Sequence, residues 1–300
     1  MNQQVSRECI QKIVFCTSFE PERSRNNCNT GFRMIGKWIR RLLPIGKMKP
    51  EKPLITTVIN YCTNDYRFIR DCIEQASVFS HEILVPYTNF FYDGTPEDTE
   101  LLNRTIAENP KARFIHFDYD PNKKVNSQHW VTFARKIGWK QAKEESNFIL
   151  FLDADEIVDG KAFAKWLEVY PLYRLNVVKL ANYYYFRETH FQSLTFEDSV
   201  ILVRKKLLRE SMIMDFEDRN KSYTEIPEPK QRMVLGDNSR PMIHHYSWVR
   251  TKEEMMRKVI TWGHNKDRDW VSLVEKEFEG EFSGRDFVHG YKYKTVESFI

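Results

Sequence analysis

Three features of this sequence predict an α/β fold, a mostly parallel sheet flanked by helices, preceded by a basic N-terminal extension. From Leu54 onward, β-branched apolar runs alternate with segments of helical period, and turn residues separate them. Residues 148–152, Phe-Ile-Leu-Phe-Leu, form an apolar run without alternation, the mark of a strand covered on both faces. Charge is also unevenly placed. The chain carries a formal +4, yet residues 1–52 hold eleven Lys/Arg against four Asp/Glu, net +7, so the remainder is net −3.

In the extension, Phe32, Ile35, Ile39, Leu42 and Leu43 recur at helical spacing. Arg33, Lys37, Arg40 and Arg41 fill the other positions, and Pro44 stops the run. Such a basic amphipathic helix over residues 32–43 either lies on an anionic membrane surface or packs its apolar stripe on the main domain. Pro50-Glu51-Lys52-Pro53 reads as a linker, which divides the chain into 1–52 and 53–300.

Residues 54–61 predict the first strand of the sheet, and Asn64 or Asp65 starts a helix with Phe68, Ile69, Cys72, Ile73 and Ala76 inward. A second strand covers 82–87. After the turn Asp93-Gly94-Thr95, a helix is expected with Pro96 at its first position and Leu101, Leu102 and Ile106 inward. A third strand at 112–117 and a helix at 128–144 lead to the buried strand 148–152. Beyond Gly160 come a helix carrying Phe163, Trp166 and Leu167, then strands at 177–186 and 199–203. Residues 215–229, polar and without period, read as a loop. A final helix begins at Thr251, where Thr-Lys-Glu-Glu makes a capping box.

Composition narrows the classes. At 41% apolar and 29% charged, the chain is that of a globular protein. It has no apolar stretch long enough for a spanning helix and no secretory h-region, so a cytoplasmic location, peripheral on the inner membrane face if residues 32–43 dock there, is expected. The five cysteines include no Cys-x-x-Cys pair and read as thiols. A slightly acidic main domain has the wrong sign for a nucleic-acid groove. P-loop, dinucleotide-fingerprint and His-Glu-x-x-His patterns are missing.

The buried strand ends in Asp153-Ala154-Asp155-Glu156, at the edge of a parallel sheet where α/β proteins bind ligands. Two carboxylates one residue apart suit a hard divalent cation with positions left open for a diphosphate. Asp-x-Asp also occurs at Asp118/Asp120 and Asp267/Asp269, but neither pair sits between a buried strand and a helix. Context selects Asp153 and Asp155.

The segment Phe133-Ala134-Arg135-Lys136-Ile137-Gly138-Trp139-Lys140-Gln141-Ala142, followed after a short spacer by Phe148-Ile149-Leu150-Phe151-Leu152-Asp153-Ala154-Asp155, resembles the central signature of family-2-type glycosyltransferases of GT-A fold. Ile59-Asn60-Tyr61-Cys62-Thr63-Asn64 sits where that family has its nucleotide loop, and Asp93-Gly94-Thr95 is similar to its Asp-Gly-Ser. Lys136 replaces the family's usual Asn, and residues 87–92 displace Asp93 from its strand.

The resemblance implies a nucleotide-sugar-binding half, 53–160, and an acceptor-binding half, 161–300. It implies that Asp153 and Asp155 hold Mn²⁺ or Mg²⁺ against the diphosphate of a nucleotide-sugar donor, with His245 completing the metal shell and His244 as runner-up. Tyr61, Thr63, Asn64, Asp93, Arg135 and Asp153 would contact the nucleotide. A glycan, lipid or protein would supply the acceptor hydroxyl. An inverting transfer needs a carboxylate to take that proton; Asp215, Glu217 and Asp218 are the candidates, with Glu225 and Asp198 as alternatives. Tyr183-Tyr184-Tyr185-Phe186, Phe191 and Trp248 could line an acceptor site, or be core. Two other readings compete: a metal-dependent phosphohydrolase or nucleotidyltransferase, and a non-catalytic peripheral adaptor on the same fold.

Overall fold

A computed structural model describes residues 52–261 and 268–300. The predicted helix at 32–43, Cys9, Cys16, Cys28 and Asp267 lie outside these residues. Strand β1 (Ile55–Asn60) leads through a short 3-10 turn into α1 (Tyr66–Ala76), β2 (Glu82–Tyr87), α2 (Thr99–Glu108), β3 (Arg113–His116), α3 (Ser127–Gln141) and β4 (Phe148–Asp153). Then follow β5 (Glu156–Val158), α4 (Gly160–Val169), β6 (Val177–Phe186), β7 (Glu188–Ser193), β8 (Glu197–Arg204) and α5 (Glu210–Ile213). The chain continues with α6 (Asp218–Glu225), β9 (Lys230–Val234), β10 (Ile243–Trp248), α7 (Lys252–Thr261), α8 (Trp270–Glu277) and β11 (Tyr293–Thr295).

The helix-flanked α/β sheet is as expected. Its parallel part is β3-β2-β1-β4. From β4 onward the main path β8-β6-β7-β11 is antiparallel, while β9 and β10 pair parallel to the long β6. Strand order reverses between β1 and β4, since β1 feeds β2 on one side and β4 closes the other. A crevice is expected at the carboxyl ends of those two strands, and the register sets Asn60 beside Asp153 there.

Each face of the sheet buries a separate cluster. Ile55, Ile59, Leu150 and Leu152 pack with Phe68, Ile69 and Ile73 of α1 and Phe163 and Trp166 of α4. Val58, Leu84, Ile149 and Phe151 face the other way, toward Met212 and Ile213 of α5. Ile149, Leu150 and Leu152 are fully buried, each contributing about 1.5–3 kcal/mol through the hydrophobic effect. Helix α3 lies close over β1 because residue 138 is Gly: a Cβ there would meet Val58 Cγ1 at 2.3 Å.

Three sequence expectations change. The helix expected to begin at Pro96 begins at Thr99, because Pro96 bridges to Phe90 and the Asp98 carboxylate caps the Leu101 amide at 2.9 Å. The loop expected at 215–229 contains α6, whose polar sequence hides it; Lys221 and Glu225 pair across one turn, and ion pairs of its first two residues anchor it. The capping box of α7 forms as expected, Thr251 N to Glu254 at 2.9 Å and Glu254 N to Thr251 Oγ1 at 3.3 Å, but α8 follows it, capped by Asp269.

Candidate active site

The carboxyl ends of β1 and β4 open into a cavity of about 800 Å³. Its walls come from the loop after β1 (Asn60 to Asp65), the segment Phe91-Tyr92-Asp93, α3, the acidic tip after β4, the start of α6, and the junction of β10 and α7. Two backbone bonds fix the tip: Ala154 N to Asn60 O at 3.0 Å and Tyr246 N to Asp155 O at 2.8 Å. The second brings β10, and with it His245, to Asp155.

Asp153 and Asp155 face different surroundings. Asp153 Oδ1 accepts from Arg135 Nη2 at 2.6 Å and its Oδ2 from Arg219 Nη2 at 3.2 Å. Burial would push its carboxyl up, but the two guanidiniums outweigh it and hold the pKa well below the usual range. Asp155 is also buried, and burial together with Asp65 pushes its pKa up, against the pull of His245, Lys258 and Arg250. Asp155 Oδ1 has no hydrogen-bond partner among the described residues, nor has His245 Nδ1. His245 Nε2 stands 3.7 Å from that Oδ1.

Beneath the tip runs a network of buried ions. Arg135 Nη1 donates to Asp218 Oδ1 and Oδ2 at 2.8 and 2.7 Å. Arg219 Nη1 donates to Glu156 Oε2 at 2.6 Å, and Glu156, fully buried, also accepts from the Asp153 amide and Ser199 Oγ. On the β1 side, Arg250 donates to Asn64 O at 3.1 Å, to Ser247 O at 3.0 Å and to Asp65, and lies 3.6 Å from Asp155 Oδ2. One buried guanidinium thus ties the loop after β1 to the acidic tip.

The other expected residues sort as follows. Asn64 borders the cavity with its carbonyl held by Arg250. Thr63 is clamped by Glu97, whose carboxylate accepts from the Thr63 amide at 3.2 Å and from its hydroxyl; burial pushes the Glu97 pKa up to about 6. Tyr61 reaches the cavity wall, but its ring belongs to the core and its hydroxyl pairs with Thr105 Oγ1 at 2.9 Å, so it is no stacking platform. Asp93 is exposed on the rim and folds back on Thr95 N and Oγ1 at 3.0 and 2.7 Å.

Glu217 borders the cavity and accepts from Asn220 Nδ2 at 3.0 Å. Asp218 borders it too, committed to Arg135, whereas Asp215 pairs with Lys221 at 3.5 Å and is not part of the wall. Glu225 pairs with Arg209 and Lys221, and Asp198 with Arg232 and with Lys179 of the wall; neither carboxylate lines the cavity itself. His244 is core: its Nδ1 meets Tyr185 OH at 2.7 Å, its ring stacks on Phe299, and burial drops its pKa to about 3. None of Tyr183, Tyr184, Tyr185, Phe186, Phe191 and Trp248 lines the cavity; besides Tyr61, the Phe and Tyr side chains that do are Phe91, Tyr92 and Phe216.

Glu97, Glu156, Arg219, Arg250 and Lys258 were not singled out in sequence. Glu156 adjoins the acidic pair and Arg219 adjoins Asp218, so proximity to those residues was the available signal. Nothing local marks the other three. Among the described residues no group of three or more His, Cys, Asp or Glu forms a metal cage. The orphaned Asp155 oxygen beside His245 nonetheless offers two ligand atoms suited to a divalent cation.

No family model matches the chain, and no curated protein matches it. Among solved structures, it is similar to S. aureus TarS 1-349 (13% identity over 75% of this chain and 72% of that one, TM-score 0.41). It is similar also to the mannosyltransferase PcManGT from Pyrobaculum calidifontis in complex with GDP-Man and Mn2+ (10%, 75% and 66%, TM-score 0.43). A third similar structure is the 4-diphosphocytidyl-2C-methyl-D-erythritol synthase of Anaerococcus prevotii (11%, 68% and 95%, TM-score 0.38). Likenesses at this level carry neither activity nor substrate to this chain, and the site itself has to supply the functional reading.

Proposed function

We propose that this chain is a glycosyltransferase that moves a sugar from a nucleotide-diphosphate donor to an acceptor hydroxyl with inversion, assisted by Mn²⁺ or Mg²⁺. One observation carries the reading: a buried carboxylate oxygen without a hydrogen-bond partner, Asp155 Oδ1, faces His245 at the switch point of the sheet, on the wall of a cavity large enough for a nucleotide sugar. The sequence signature across Arg135 to Asp155 supports the same reading.

Asp155 and His245 would hold the cation. Asp153, each of whose oxygens accepts from a guanidinium, would serve mainly to anchor Arg135 and Arg219 beside the cation. A bound divalent ion supplies electrostatic stabilisation for the charge that collects on the departing diphosphate. The loop from Tyr61 to Asp65, fixed by Glu97 and Arg250, forms the wall against which the nucleotide would lie. Asp218 has both carboxylate oxygens held by Arg135 Nη1, which occupies it as a structural anchor. Glu217, on the wall without that guanidinium, is better suited to take the acceptor proton. The acceptor enters from the side formed by residues 161–300.

The test is product analysis with UDP- and GDP-sugars and Mn²⁺ or Mg²⁺. Release of the nucleoside diphosphate, abolished by EDTA and by Asp155→Ala in a folded protein, is the expected result. Release of phosphate or pyrophosphate, or turnover undiminished in EDTA, would overturn it.

A further inference from the structure

Cations crowd the wall of the large cavity, but they are not alike. Arg135, Lys179, Arg219 and Arg250 are each ion-paired to a carboxylate of the protein, and Arg257 lies over the Phe91 ring at 4.3 Å. Lys258 differs. Its Nζ donates to Ser247 O at 3.0 Å and Ser247 Oγ at 2.7 Å and stands 5.3 Å from the centre of the Trp248 ring, and no carboxylate pairs with it among the described residues.

An ammonium group carries three donors. Ser247 takes two, and one is left at a side chain that borders the cavity. Lys258 sits about two turns beyond the capped start of α7, and its bonds to Ser247 hold the charge in place. Burial, and then the neighbouring Arg250, keep the Lys258 pKa below the ordinary lysine value, while Asp155, Asp65 and Asp153 pull the other way. A half-buried cation hydrogen-bonded to neutral groups alone, with a donor to spare, gains from an anion that enters its cavity.

We propose that Lys258 is the protein's own receptor for the diphosphate group of the ligand, holding phosphoryl oxygens from α7 beside the end of β10, next to Asp155 and His245. The nucleotide part of this assignment rests on the donor-site reading above; the anion-binding part rests on Lys258 alone. The charged hydrogen bond supplies affinity for phosphoryl oxygens and none for the nucleoside.

Calorimetric titration of the wild type, Lys258→Met and Lys258→Gln with inorganic pyrophosphate, UDP, GDP, uridine and guanosine tests it. Met keeps the stem over Trp248, and Gln keeps a donor for Ser247 should Met disturb folding. Expected is a loss of about tenfold to a hundredfold in affinity for pyrophosphate and for the preferred diphosphate in both variants, with nucleoside affinity unchanged. Equal diphosphate affinity in wild type and variants overturns the role of Lys258 and leaves the donor-site reading standing. If pyrophosphate depends on Lys258 while UDP and GDP bind no better than pyrophosphate, the anion site stands and the nucleotide reading falls. Binding of none of the five by wild type overturns both.

Discussion

Arg135 Nη2 hydrogen-bonds Asp153 Oδ1 at 2.6 Å, joining the middle of α3 to the end of β4. Its other terminal nitrogen holds Asp218 at the start of α6, so one guanidinium, 3% exposed, pins three elements of the cavity floor. Arg135→Met leaves buried carboxylates without that counter-charge and is expected to cost roughly 3–5 kcal/mol. Urea denaturation measures this. A loss under about 1 kcal/mol would mean the network contributes little to the fold.

Glu97 provides a pH signature. Its folded pKa of about 6 lies above the 4.5 of the unfolded chain, so the unfolded chain releases the proton first. Stability from this group is therefore complete below pH 4.5 and is lost as the pH rises through about 6. Glu97→Gln, which cannot ionise, should match wild type at the acid end and exceed it by about 2 kcal/mol at neutral pH. A difference that does not vary with pH would refute the assignment.

Gly138 tests the packing of α3 on β1. Gly138→Ala places a methyl 2.3 Å from Val58 Cγ1, and the strain should cost about 1–3 kcal/mol despite the better helix propensity of alanine. Adding Val58→Ala should remove part of that strain, giving a favourable coupling in a double-mutant cycle. Strictly additive losses would show that the helix relaxes elsewhere.

Glu217→Gln is expected to lower turnover by about 10²–10⁴ without weakening donor binding, as loss of a general base does. Parallel measurement of donor affinity and single-turnover rate separates the two effects. Unchanged turnover would return the role to Asp218 or remove it from α6.

Much of this was legible in the sequence. The unbroken apolar run at 148–152 announced a buried strand, and the acidic residues at its end announced a site at the sheet edge. The helix preceding it was found to within three residues at its end, because Trp130, Phe133, Ala134, Ile137 and Gln141 keep a helical period. Polar α6 was missed because its stability comes from contacts with Arg135 and Glu156, far away in the chain, and not from an apolar stripe. The same reason hid Arg250 and Lys258: their meaning depends on the register of β10 and on the loop after β1, neither of which leaves a local pattern. The resemblance suggested equal roles for Asp153 and Asp155, but the guanidiniums that separate them lie on α3 and α6.

The central claim is that Asp155 and His245 together hold a divalent cation. Mn²⁺ titration followed by electron paramagnetic resonance, on wild type, Asp155→Asn and His245→Ala with UDP or GDP present, tests it most directly. Because the Asp155 carboxyl must lose its proton to bind, and burial raises its pKa, wild-type affinity should fall as the medium is acidified. Both variants should bind at least about tenfold more weakly while remaining folded. Mn²⁺ affinity equal in all three proteins would contradict the account.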